Sequence, residues 1–336
     1  MFNRLNRGVF AAALGAALSF SPVLTDRARA ADDVHLMLDW IPTGDYAPYY
    51  AGVASGIYKR NGVELRISRG NGSGDTLAKV AGGAAEIGLA DISALFTARQ
   101  RSSLPVKMIA AVYAHSPHSL FVRKDSGITT FTGLEGKKIG ITPGNSHRLY
   151  FPAVAAAART DPTKIEWVTV DGSAMGPLLI SGKVDAIPTY STNFYYQNKQ
   201  ARKAGTELSF LPFVQVGFAI YSLAIHTTES TIDKRPDMLR NFMKATLESW
   251  ESARNDPQAA CEAHVKANPQ VDLDDCLGSL KATLGFIFTD HVKDAGLGGV
   301  TAERLKKTYE IVAQAQGLDP QFDPASALDM SFLPKR

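Results

Sequence analysis

Short apolar runs and amphipathic stretches take turns along most of this 336-residue chain. Runs of strand length, dense in Val, Ile, Leu and Ala, fall at 34–38, 63–67, 87–90, 106–113, 119–122, 138–141, 165–170, 184–188 and 220–225. Helix signals sit between them. Ser73-Gly74-Asp75 opens a helix to Ala81, Asp91 caps one over 92–99, Asn145-Ser146 opens one to Ala158, and Ser173 starts one to Ile180. This alternation predicts an α/β fold with parallel strands. Beyond Thr228 only helices are expected, over 235–255, 257–268, 272–286 and 301–316. Met238, Phe242, Ala245, Leu247 and Trp250 keep helical spacing, which assigns Trp250 to a core and this tail to packing.

Several strands thus run into a turn and a helix N-terminus, where free backbone N–H groups gather and where open α/β sheets bind ligands. The first strand end carries the strongest ligand signal: Asp39, Trp40, Tyr46, Tyr49 and Tyr50 crowd around Pro42, Gly44 and Pro48. Planar rings with a few polar groups are the usual lining of a small-molecule pocket. The Gly-rich turn 70–74 lacks the Gly-Lys-Ser/Thr of a phosphate loop and is no dinucleotide fingerprint; it reads as a purely structural turn or as one that lets backbone approach a ligand. His115 and His118 stand three apart, too few for a metal set, and no metal or other cofactor is expected.

Composition narrows the class. Arg4 and Arg7 precede an apolar run at 8–20, and Ala28-Arg29-Ala30 offers a cleavage site, so 1–30 reads as a signal peptide cut after Ala30. No Cys stands at the cut for acylation. Lys+Arg 36 against Asp+Glu 33 gives +3, but the leader holds Arg4, Arg7, Arg27 and Arg29 against Asp26, leaving 32 of each sign. A near-neutral mature chain shows no nucleic-acid footprint. Cys261 and Cys276 flank Asn268-Pro269 between two helical segments; they form either a disulfide, which export permits, or two buried thiols. About 306 residues remain after cleavage, more than one core usually holds, which suits two lobes.

Leu38-Asp39-Trp40-Ile41-Pro42 and Ala47-Pro48-Tyr49-Tyr50, then Ser55-Gly56-Ile57-Tyr58 and Gly70-Asn71-Gly72-Ser73-Gly74-Asp75, resemble the periplasmic substrate-binding proteins of ABC importers in the thiamine-pyrimidine-precursor and sulfonate-binding group. Ala85-Glu86-Ile87-Gly88-Leu89-Ala90-Asp91, Leu134-Glu135-Gly136-Lys137-Lys138-Ile139-Gly140 and Gly182-Lys183-Val184-Asp185-Ala186-Ile187 extend the match over most of 33–255. The resemblance implies a type II periplasmic-binding-protein fold: two α/β lobes hinged by two crossing strands, near 119–124 and 217–226. Lobe one would comprise 31–120 and 222–336, lobe two 121–221. It also implies a monomer in the periplasm that hands its ligand to an inner-membrane permease. Fungal pyrimidine synthases share the family, but their catalytic Lys and His positions fall on Ala90 and Ala94, and the segment matching their cysteine-rich motif reads Phe218-Ala219-Ile220-Tyr221-Ser222-Leu223. An enzyme is therefore not expected.

The site expected on lobe one comprises Asp39, Trp40, Tyr46, Tyr49, Ser73, Gly74, Asp91, Ser93 and Tyr113. Lobe two is expected to add Asn145, Ser146, His147, Asp171, Tyr190 and Asn193. Asp91 is equally readable as a helix cap, and Asp185 as structural. Carboxylates facing ring N–H or amino groups favour a flat nitrogen heterocycle such as a thiamine pyrimidine precursor. Thr43-Gly44 and Tyr46 depart from the Asn and His that pyrimidine binders of the family tend to carry, so riboflavin, another aromatic compound or a small sulfonate stay as alternatives.

Overall fold

The computed structural model describes residues 31–334; the leader read at 1–30 lies outside the described residues. The strands are β1 (Asp32–Met37), β2 (Val63–Ser68), β3 (Ile87–Asp91), β4 (Val106–Ala111), β5 (His118–Arg123), β6 (Lys138–Ile141), β7 (Glu166–Thr169), β8 (Ala186–Tyr190), β9 (Leu208–Pro212) and β10 (Leu223–Thr228). They form two five-stranded sheets, ordered β2-β1-β3-β10-β4 and β7-β6-β8-β5-β9. β3 is buried along its whole length, as its unbroken apolar run requires. Edge strand β2 alternates, with Val63 and Leu65 inward and Glu64 and Arg66 turned to the surface.

The sheets are mixed, which corrects the expectation of parallel strands. β1 pairs in parallel with β2 and β3, and β6 with β7 and β8, but β10 runs antiparallel to β3 and β4, and β5 antiparallel to β8 and β9. β5 and β10 are the strands that the chain forms just after changing sheets, so each enters its sheet from the opposite end. The first passage falls at 112–117, ahead of the expected 119–124, because β5 pairs along its length within the second sheet. The return falls at 213–222. The two passages bond to each other: the Val112 and Tyr113 N–H groups donate to the Leu223 carbonyl (2.8 and 3.0 Å), and the Ser222 N–H to the Tyr113 carbonyl (3.2 Å).

The helical tail spans both sides of the molecule: Pro236–Asn255 packs beside the first sheet, while Leu273–Ile287 and Ala302–Gln316 also reach helices beside the second. Trp250, on Pro236–Asn255, is fully buried edge-on to Tyr49 at 6.3 Å. Cys261 on Pro257–Ala267 and Cys276 on Leu273–Ile287 form a disulfide with a Cα separation of 5.7 Å. The bonded pair reaches the ligand loop directly. A Cβ on Gly44 would stand 2.3 Å from the Cys276 carbonyl oxygen, so only glycine lets the loop lie against this helix. No described helix is long and apolar enough to cross a membrane.

Candidate functional site

Five chain segments converge on one cavity. The end of β1 supplies Asp39 and Trp40, and the following 3₁₀ turn Gly44–Tyr46 supplies Asp45 and Tyr46. The start of helix Ser73–Ala81 gives Gly72 and Ser73; the start of helix Ser146–Ala157 gives Asn145, Ser146 and His147; the end of β8 gives Pro188, Thr189 and Tyr190, followed by Asn193. The cavity measures about 40 Å³, room for about three waters. Two turns close its edge. Gly72 has φ +112° with space for a Cβ only 3.0 Å from the Gly144 carbonyl, and the Gly74 N–H donates to that carbonyl at 3.3 Å.

Its walls are rich in acceptors and contain no Lys or Arg. Asp39 is 6% exposed and accepts from the Tyr46 hydroxyl at 2.8 Å; burial pushes its carboxyl up to about 7. Asp45 accepts from the Thr192 hydroxyl at 2.7 Å, and burial pushes it up to about 6. Desolvation outweighs these hydrogen bonds because no cation stands opposite either carboxylate. Asn145 caps its helix, its Oδ1 accepting from the His147 N–H (3.0 Å) with His147 Nδ1 2.9 Å away. Burial holds His147 well below the ordinary histidine range, so the ring is neutral. Since Oδ1 can only accept, the ring proton is assigned to Nδ1, which leaves Nε2 a bare acceptor. His147 Nε2, Asp45 Oδ1, Tyr190 OH and Asn193 Oδ1 are all buried without a hydrogen-bond partner.

Nine of the expected site residues line this cavity: Asp39, Trp40, Tyr46, Ser73, Asn145, Ser146, His147, Tyr190 and Asn193. The other six stand elsewhere. Tyr49 faces into the core against Trp250, and Tyr113 lies behind Tyr190, edge-on at 5.9 Å. Gly74 ties the two turns together. Asp91 is fully buried and spent on local bonds: it caps helix Ile92–Ser102 through the Ser93 N–H (2.9 Å) and accepts from the hydroxyls of Ser93 (2.6 Å), Tyr150 (2.6 Å) and Ser222 (2.9 Å). Ser93 is thereby used up as well. Asp171, after the edge strand β7, is exposed and caps helix Gly172–Ile180 through the Ser173 N–H at 2.8 Å.

Sequence reasoning passed over Asp45, Gly72, Pro188 and Thr189. An Asp in a Gly-rich turn reads as solvated; here Thr192, far along the chain, and the tail helix beneath Gly44 bury it. Ala90 and Ala94 are packed in the core. His118 sits 3.4 Å from Asp91 Oδ2, but burial drives it to about 3, so the contact is no ion pair. His115 Nδ1 accepts at the surface from the Arg304 guanidinium at 2.8 Å. Among the described residues one carboxylate trio, Asp272, Asp274 and Asp275, has metal-like spacing, yet Lys199 Nζ stands 2.9, 2.7 and 2.8 Å from the three and already occupies the place between them.

The family model described as NMT1/THI5 like matches residues 43–260. The riboflavin-binding protein RibY of Chloroflexus aurantiacus is 26% identical over 90% of this chain and 86% of its own. The 4-amino-5-hydroxymethyl-2-methylpyrimidine phosphate synthase THI5 of Saccharomyces cerevisiae is 23% identical over 80% and 82%. Among solved structures, the alkanesulfonate-binding protein SsuA of Xanthomonas axonopodis pv. citri bound to MOPS superposes with a TM-score of 0.68 at 12% identity, covering 90% of this chain and 99% of that one. With 43–260 inside the match and two mixed sheets joined by two passages, the chain belongs to the NMT1/THI5-like family and has the two-lobed α/β fold of periplasmic binding proteins.

Proposed function

We propose that this protein is an exported solute-binding protein that captures a small, flat, amino-bearing nitrogen heterocycle of the pyrimidine type between its two lobes and delivers it to an ABC permease. The jaws would divide at the two passages, near the 120/121 and 221/222 boundaries read from sequence but with 118–120 on the second jaw, and the protein would work as a periplasmic monomer. The observation that carries the reading is the cavity wall: two desolvated carboxylates, a neutral His147 acceptor and no cation. Ring amino and N–H groups would donate to Asp39, Asp45 and His147, and charge-assisted bonds of this kind are about twice as strong as neutral ones. A ring carbonyl or nitrogen on the far edge would accept from Ser146 and the free N–H groups of its helix. A sulfonate would instead meet two buried carboxylates unaided, which disfavours that ligand class.

Closure would come from ligand contacts that exist only when both sheets' loops meet, shifting an equilibrium between open and closed forms. Binding without turnover is supported by alanine at 90 and 94, where the family's synthases are matched to Lys and His. The likeness to RibY supports a flavin as the second reading. Calorimetry on the purified mature chain with aminopyrimidines, riboflavin and alkanesulfonates tests both. Aminopyrimidine binding with recovery of the unaltered compound is expected; exclusive sulfonate binding, or consumption of the compound, refutes the proposal.

A further inference from the structure

Behind Trp40 lies a second chamber of about 180 Å³, and Trp40 with Thr189 lines both it and the first cavity. Two features mark it as built. Its floor is a side-chain-free face of helix Gly172–Ile180: the Trp40 ring rests directly on Gly172, where a Cβ would stand 2.9 Å from Cζ2, and one turn on, Gly176 leaves room facing Gln197. Its far wall holds Gln197, 7% exposed, whose Oε1 is buried with no hydrogen-bond partner. Asn193 and Gln197 are four residues apart on one helical run and so share a face, each presenting an unpartnered amide oxygen, one to each chamber. The rest of the lining mixes apolar Ile41, Met175 and Ile187 with uncharged polar Ser173, Tyr196 and Gln200, and Lys and Arg are absent from it.

We infer that the ligand is bipartite: a donor-bearing heterocycle held in the first cavity and an uncharged, hydroxylated substituent in the second, with Trp40 as the movable partition between them. This rests on the aminopyrimidine reading above. An uncharged substituent is required because the lining holds no charged side chain, so an ionic one would lose water without a counter-charge, whereas a hydroxyl can donate to Gln197 Oε1 and satisfy it.

The test uses cytosine and cytidine, which share an aminopyrimidine ring and differ by an uncharged polyol. Titration calorimetry on the mature wild-type chain is expected to show cytidine binding at least tenfold more tightly. Gly176→Leu, which fills the second chamber, should erase that ratio and leave cytosine affinity within about threefold. Gln197→Leu, which leaves the helix backbone untouched, should lower cytidine affinity alone and supplies the same answer if Gly176→Leu does not fold. Equal binding of the two compounds by wild type overturns the second chamber and leaves the first reading standing, as does an equal loss of both in Gln197→Leu. Failure of both compounds to bind overturns the two readings together.

Discussion

Asp39→Asn removes a buried charge while keeping an oxygen to accept the Tyr46 hydroxyl, which isolates the electrostatic role of this position. In the unfolded chain the carboxyl ionises near its ordinary 3.8, whereas in the folded protein burial delays ionisation to about 7. Between these values the unfolded state has shed a proton that the folded state keeps, so the contribution of Asp39 to stability is fullest below pH 4 and is lost as pH rises toward 7. At about 1.4 kcal/mol per pH unit, the interval from pH 5 to 7 removes about 3 kcal/mol from the ligand-free wild type, and nothing further is lost above it. Asp45, held up to about 6, acts in the same direction and levels off one unit sooner. Urea unfolding at pH 5 and pH 8 should therefore show a fall in the wild type that is smaller by about 3 kcal/mol in Asp39→Asn, and the variant should be the more stable protein at pH 8. Its affinity for an aminopyrimidine should drop about tenfold, the difference between a charged and a neutral acceptor. Wild-type stability that stays flat from pH 5 to 8, or a variant less stable than wild type at pH 8, would refute the reasoning.

The Cys261–Cys276 bond closes a loop of 15 residues, so replacing both with Ala should remove about 3 kcal/mol of stability, read as a lower thermal midpoint that reductant no longer changes; an unchanged midpoint counts against it. Lys199, on helix Phe194–Lys203 beside the second sheet, meets three carboxylates at the start of helix Leu273–Ile287, so Lys199→Ala should loosen the contact between these helices. Small-angle scattering should then give a larger radius, by a margin that shrinks in 1 M salt as surface charges are screened; identical profiles in low salt would dismiss the contact as idle.

The strands were legible where burial on both faces demands an unbroken apolar run, as at 87–90 and 138–141. β9 escaped notice because its Leu208-Ser-Phe-Leu-Pro212 segment sits at a sheet edge, half-exposed, and needs no such run. Strand direction was not legible, since the chain's change of sheet, not any residue pattern, turns β5 and β10 around. The same division holds for the cavity. Trp40, Asn145 and Tyr190 follow strands whose ends face each other, so proximity to a strand end sufficed. Asp171 obeys the same local rule and still lies outside: its loop touches Trp40 through Gly172, but its own carboxylate is exposed and taken by the Ser173 N–H and hydroxyl. Asp45 shows the converse: its burial depends on Cys276 pressing on Gly44 and on Thr192, contacts between segments far apart along the chain.

The paired passages at 112–117 and 213–222 have a mechanical consequence. A single tether between two bodies is a universal joint, free to bend and to twist, whereas two tethers side by side, hydrogen-bonded through Val112, Tyr113, Ser222 and Leu223, form a ribbon that bends readily about one axis and resists torsion. Whatever swing separates the sheets is thereby held to a single track. In the proposed capture cycle, the loops that frame Asp39 and His147 would therefore return to the same register each time, without being guided there by the molecule between them.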